Sequence, residues 1–347
     1  MKILILGGTG AMGTPLTEIL KGTTHDVFIT SRKRKSDYMN IHFLCGNAKT
    51  LSFLQSVLET DWDCIVDFMS YTTSEFSERI NLFLNACKQY VFISSARVYA
   101  NSVGLLTEDS PRLLDVCDDK DYLATDEYAL SKARQENLLF ENSKRNWTIV
   151  RPGITYNNDR LQLGVFEKEE WLYLALAQKK IYFSNDIAPH YATLTSGKDV
   201  ASGIAALLGK EAALGEVFHI TVDDAIIWKD VLAIYKDTLN ECGITVSVIM
   251  EDSCYRLENN AYKYQVIYGR YFDRKFDNSK IKSAVKDFRP VSIREGLTRC
   301  LSEFVRDNHS FKDINWGWEL NMDKISGTYT SMQELPGSVK FKVKYLL

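Results

Sequence analysis

The sequence has no Cys-x-x-Cys pair, and its seven cysteines (Cys45, Cys64, Cys87, Cys117, Cys242, Cys254, Cys300) are scattered and odd in number. This excludes a disulfide scaffold and reads as reduced thiols, as expected of a cytoplasmic protein. Cys/His spacing of the zinc type is also missing, and the five histidines do not cluster, so no metal is implied. Long apolar runs are absent: Ile3 to Leu6 meets glycines at once, too short for a signal-peptide core, and nothing approaches a membrane span. The formal net charge is only -3, which gives no electrostatic reason to expect nucleic acid or a membrane as a partner. No repeat or low-complexity segment breaks the chain.

What is present is an ordinary globular composition, 45% hydrophobic and 25% charged over 347 residues, enough for one large domain or two unequal ones. The first half alternates short apolar runs with amphipathic stretches, the pattern of a parallel sheet with crossover helices. Strands are expected at Ile3–Leu6, Val27–Thr30, Ile41–Leu44, Cys64–Phe68, Tyr90–Ser94 and Trp147–Arg151. Helices are expected at Met12–Leu20, Leu51–Leu58, Ser77–Cys87 and Asp126–Asn142. Beyond Pro152 the pattern weakens into helical stretches and short β-like pieces such as Val217–Thr221. The expected fold is α/β: a doubly wound Rossmann domain over 1–155 and a smaller substrate-binding domain over 156–310. Part of 195–225 is expected to return to the first domain, and the tail 311–347 has no assigned role.

Gly7, Gly10 and Gly13 form GxxGxxG between the first strand and the first helix. Glycines there allow a tight turn and a close approach of backbone amides to a pyrophosphate, with the helix N-terminus adding partial positive charge. Thr9, Ala11 and Met12 belong to the same loop. An Asp or Glu at the end of strand two would accept hydrogen bonds from the ribose of NAD, but the sequence reads Thr30-Ser31-Arg32-Lys33. A hydroxyl and a guanidinium suit a 2′-phosphate, so Ser31 and Arg32 favour NADP(H) over NAD(H). Asn47, after strand three, is an adenine-contact candidate or part of a Gly46-Asn47 turn. Met69, in the apolar loop after strand four, is a further candidate contact.

Tyr128 and Lys132 stand four residues apart, on one face of an expected helix. A nearby ammonium favours the phenolate and moves the tyrosine toward proton transfer at neutral pH. Such a pair alone is a weak signal. Its order in the chain, after the glycine loop and after Ser94-Ser95, gives it weight.

Taken together, Gly7 to Gly13, Val91-Phe92-Ile93-Ser94-Ser95-Ala96-Arg97-Val98-Tyr99, Tyr128 to Lys132 and Arg151-Pro152-Gly153 resemble the extended short-chain dehydrogenase/reductases. The likeness is to the NAD-dependent epimerase/dehydratase family and covers roughly residues 1–220. It implies Ser95, Tyr128 and Lys132 as the catalytic set, with Ser95 on the reacting oxygen. Tyr128, Lys132 and Pro152 are then cofactor contacts too, and a nucleotide sugar or other small molecule is the partner, with a homodimer as a family expectation. Ala96 and Arg97 stand where the 4,6-dehydratases carry Asp-Glu, which disfavours water loss, and Arg97 likewise disfavours sugar-acid decarboxylation. Epimerisation and reduction of a ketosugar both stay open. The family's usual arginine on the nucleotide diphosphate would fall at Ala192, so Arg160 and Arg270, with His190 behind them, become the substrate-side candidates beside Ser95 and Arg97. A rival reading is a cofactor-binding regulatory or RNA-binding protein on the same fold.

Overall fold

The computed structural model describes residues 1–254, 262–307, 310–331, 333–337 and 342–343. Seven strands form one parallel sheet: Lys2–Leu6 (β1), Asp26–Ser31 (β2), Ile41–Cys45 (β3), Trp62–Asp67 (β4), Cys87–Ile93 (β5), Trp147–Pro152 (β6) and Glu216–Ile220 (β7). Their spatial order is β7-β6-β5-β4-β1-β2-β3. The chain therefore winds outward in both directions from β1, and the crevice at this switch point opens at the carboxyl ends of the strands.

The apolar runs are continuous because both faces of the sheet are covered. Ile3 and Ile5 of β1 join Val66, Val91 and Val150 on one face, under the helices Gly13–Leu20 (α1) and Gly197–Leu207. Leu4 and Leu6 join Ile65, Phe92 and Ile149 on the other face, under Leu51–Leu58 (α2), Thr73–Ala86 (α3) and Tyr128–Phe140 (α4). The helix expected from Ser77 begins at Thr73, because Thr72 and Glu75 form a reciprocal capping box ahead of it.

The Val217–Thr221 piece supplies the outermost strand: β7 pairs with β6 from Glu216 to Ile220. The smaller lobe is built from the helices Lys168–Leu176, Trp228–Glu241 and Ile293–Arg306 and from two-residue to four-residue ladders such as Ile181–Ser184 with Val248–Glu251. Its core includes Trp171 stacked on Tyr235 with ring centroids 4.4 Å apart. The tail is part of this lobe as well. Its helix Trp316–Ser326 buries Trp318 in the lobe's core, and Lys179 Nζ reaches both Glu319 (2.6 Å) and Asp323 (2.5 Å). All seven cysteines are free. No helix among the described residues is long and apolar enough to cross a membrane.

Candidate active site

The glycine loop closes the switch point. Gly7 has φ of +71°, a conformation that favours glycine, and a Cβ there would lie 2.8 Å from Met69 Sδ, so the thioether would have to move. Gly13 packs α1 against the loop so tightly that a Cβ would meet the Gly8 backbone at 2.6 Å. Beside Gly10, in contrast, a Cβ would meet nothing within 4 Å. Helix α1 has no side-chain cap and no acidic residue in its first turn, so its positive end is uncompensated next to that open space. The loop thus fits a dinucleotide pyrophosphate, with Thr9 and Gly10 exposed and Ala11 and Met12 partly so.

At the end of β2 the side chains divide by role. Thr30 Oγ1 accepts from Gly7 N (3.2 Å), which ties β2 to the loop. Ser31 Oγ donates to Lys33 O (2.8 Å) and closes its own turn. Arg32 is exposed and makes no hydrogen bond or ion pair among the described residues. Asn47 Oδ1 accepts from Lys49 N (3.1 Å), which matches the turn reading, while the residue itself is exposed.

Beyond the crevice lies a cavity of about 610 Å³ whose wall includes Met12, Ser95, Arg97, Tyr128 and Pro152. Ser95 ends β5 and caps the turn Ala96–Val98. Its Oγ accepts from Arg97 N (3.1 Å), which leaves its own proton to give. Ser94, its neighbour, is committed elsewhere, donating to buried Glu136 (2.6 Å). Tyr128 is the first residue of α4. Its ring is 44% exposed, and its hydroxyl has no hydrogen-bond partner among the described residues. One turn on, Lys132 is buried just behind the cavity wall. Its Nζ donates to Ile93 O (2.8 Å) and sits 4.6 Å from the Phe92 ring centroid. Burial pushes its pKa down to about 8, against the opposing pull of Asp67 and Glu136.

The substrate-side candidates also meet here. Arg97, Arg160 and Arg270 line the cavity, and so do Arg274 and Lys263, whereas Glu127 is the one carboxylate on the wall among the described residues. His190 lies off this wall and pairs with Asp273 (3.4 Å). Arg270 is buried over Trp228 (5.3 Å) with Nε donating to Gly164 O (2.7 Å). Burial first, and the Arg97 charge second, push Arg270 and Arg274 down to about 9. Arg160 is half exposed and shared with Glu167 (3.3 Å).

Ala192 lines the cavity too, and Arg274 comes alongside it: Arg274 N donates to Tyr191 O (3.0 Å) and Arg274 O accepts from Thr193 Oγ1 (2.6 Å). Arg274 thus brings a guanidinium to the same wall, where Nη1 donates to Ala100 O (3.0 Å) and Nη2 to Tyr99 O (2.9 Å). Reading the sequence missed Arg274 and Glu127. The spacing of Arg270 and Arg274, four residues apart, was the available signal for the former.

A NAD-binding family model described as "Male sterility protein" matches residues 77–190. Among curated proteins, the chain is 27% identical over 236 residues to the chloroplast stem-loop binding protein of 41 kDa b from Arabidopsis thaliana. That match takes in 63% of this chain and 58% of the relative, so less than two thirds of the relative's length is spanned. Among solved structures, UDP-glucuronic acid 4-epimerase from Bacillus cereus superposes with a TM-score of 0.67 at 18% identity, covering 89% of this chain and 100% of that one. dTDP-glucose 4,6-dehydratase from Bacillus anthracis gives 0.65 at 17% identity, covering 89% and 97%. Both were solved with NAD bound.

Proposed function

We propose that this chain, which has the Rossmann-like fold of the solved epimerase and dehydratase structures, is an extended short-chain dehydrogenase/reductase and an NAD(P)-dependent enzyme acting on a nucleotide sugar. The reaction is either epimerisation through a ketosugar or reduction of one. The observation that carries this reading is the meeting of a free phenol, Tyr128, and a free serine hydroxyl, Ser95, on a cavity wall where arginines outnumber carboxylates.

When bound, the nicotinamide supplies the hydride acceptor or donor. The chain's own residues handle the proton and the charge. Tyr128 takes the proton from the sugar hydroxyl during oxidation and returns it on reduction. Ser95 donates its free proton to the same oxygen and steadies the charge that develops there. Lys132 keeps a positive charge behind the wall below about pH 8. Arg270 and Arg274 offer donors to a diphosphate, the group that the fork geometry of arginine suits.

For cofactor choice, exposed Arg32 is free to pair a 2′-phosphate, which supports NADP(H) over NAD(H). Comparing KM for NADPH and NADH in wild type and Arg32→Asp tests this, with the preference expected to reverse. A homodimer through α3 and α4 completes the reading, and light scattering checks it.

A second reading, RNA binding, is favoured by the similarity to the stem-loop binding protein and by the exposed basic run Arg32-Lys33-Arg34-Lys35. One set of assays separates the three. Conversion of a nucleotide sugar with no net change in cofactor absorbance marks an epimerase, and stoichiometric loss of NADPH marks a reductase. Turnover of neither, with salt-sensitive stem-loop binding, would leave the RNA reading standing and remove the enzymatic one.

A further inference from the structure

Arg97 is the arginine nearest to the proposed chemistry. Its backbone N–H is bound by Ser95 Oγ (3.1 Å), and its guanidinium carbon lies 5.9 Å from the Tyr128 ring centroid. Its Nε is 3.4 Å from where a Cβ on Gly269 would be, so a glycine at 269 leaves room for it beside Arg270. An anion held by Arg97 therefore belongs to the part of the substrate that Ser95 and Tyr128 also touch.

This guanidinium is underused. Its Nη2 forms an ion pair with Glu127 Oε1 (2.8 Å), but the side chain makes no hydrogen bond among the described residues, and Nε is buried without a partner. Glu127 is itself shared, with Oε2 accepting from Ala129 N (2.8 Å) and from the Tyr122 hydroxyl (3.1 Å). Arg270 and Arg274, by comparison, each donate to backbone carbonyls. A buried donor kept without a partner calls for a ligand to complete it.

The charge balance points the same way. Among the described residues, five cations, Arg97, Arg160, Lys263, Arg270 and Arg274, face one carboxylate on the cavity wall. A nucleotide diphosphate sugar with a neutral ring brings two negative charges, so a surplus remains even after Glu167 offsets Arg160. Arginine pairs a carboxylate through two parallel N–H donors, and a neutral hydroxymethyl group cannot do this.

We propose that the reacting sugar carries a carboxylate of its own, a uronic acid held by Arg97 beside Tyr128. This rests on the nucleotide-sugar reading and sharpens it: the diphosphate goes to Arg270 and Arg274, and the ring carboxylate to Arg97. Substrates with an uncharged ring are then discriminated against by the loss of a charge-assisted pair.

The test uses purified full-length protein loaded with NAD(P). UDP-glucuronic acid and dTDP-glucuronic acid are compared with UDP-glucose and dTDP-glucose by calorimetry and by cofactor absorbance. The acid is expected to win by roughly 10- to 100-fold in Kd or kcat/KM. In Arg97→Gln that ratio falls toward one, and in Arg97→Lys part of it returns; a thermal melt establishes that both variants are folded. Equal or better binding of the glucose compounds by the wild-type protein would overturn the uronic-acid assignment while leaving the nucleotide-sugar reading intact. Binding of none of the four compounds would overturn both.

Discussion

Two groups of arginines stand close together in this molecule and are treated in opposite ways. Arg112 and Arg151 converge on Glu136, whose carboxylate is fully buried and accepts from Arg151 Nε and Nη2 (2.8 Å each), Arg112 Nη1 (3.2 Å) and Ser94 Oγ (2.6 Å). Burial pulls both guanidinium pKa values down, but hydrogen bonds and carboxylate charges, from Glu136 for Arg151 and from Asp115 and Glu136 for Arg112, outweigh it and hold them above the ordinary value. Arg270 and Arg274 have carbonyl partners and other arginines around them, and burial pushes them down to about 9. The first group is complete within the fold and fixes the loop after β5 onto α4, which sets Ser95 in place. The second group has no carboxylate partner among its hydrogen bonds and is the one proposed to take an anion. A buried cation beside its carboxylate is structure; buried cations facing a cavity are candidates for a binding site.

That difference is breakable by mutation, and the largest effect belongs to the closed group. Glu136→Gln leaves buried Arg151 without its acid, while Arg112 keeps Asp115, and costs about 3–5 kcal/mol, read as a lower urea midpoint. Arg270→Met reverses the pattern. Removing a cation without an acid offsets the lost bond to Gly164, so stability changes by about 1 kcal/mol or less. The same change weakens nucleotide-sugar binding by about 1.5–3 kcal/mol, roughly 10- to 100-fold by calorimetry. If Arg270→Met unfolds the protein and leaves binding untouched, the two groups do not differ in the way described.

Lys132 is a third kind of buried cation, and its effect is smaller and depends on pH. Its folded pKa of about 8 lies below the ordinary 10.5, so between those values the unfolded chain binds more protons than the folded one. The contribution of this group to stability therefore rises with pH across that window, and below about pH 8 the full burial penalty is present. On the proposed mechanism activity runs the other way, because the positive charge of Lys132 is lost above about pH 8. The pH profile of kcat is expected to show a descending limb near pH 8 that disappears in Lys132→Met, whose residual rate is low throughout.

How much of this was legible before the fold was known follows from the range of the interactions. The six strands from Ile3 to Arg151 are short runs buried on both faces, and such runs are continuous in sequence. Gly7 and Gly13 were legible because the backbone itself needs them there, Tyr128 and Lys132 were legible as a candidate pair because one helix sets their spacing, and Ser95 was legible only through the family resemblance. The smaller lobe was not legible, since its ladders are two to four residues long and pair across large sequence distances, as Ile181 does with Val248. Trp316 and Trp318 looked unassignable for the same reason: the acids that anchor their helix answer to Lys179, some 140 residues earlier. Arg274 and Glu127 gain meaning only when the cavity brings them together.

The measurement closest to the centre of the account is turnover of a nucleotide sugar by cofactor-loaded Tyr128→Phe, alongside its substrate Kd. Loss of the phenolic proton is expected to lower kcat by about 10²- to 10⁴-fold with Kd nearly unchanged, since the arginines proposed to hold the substrate stay in place. A kcat equal to that of the wild type would contradict the assignment of Tyr128 as the acid and base.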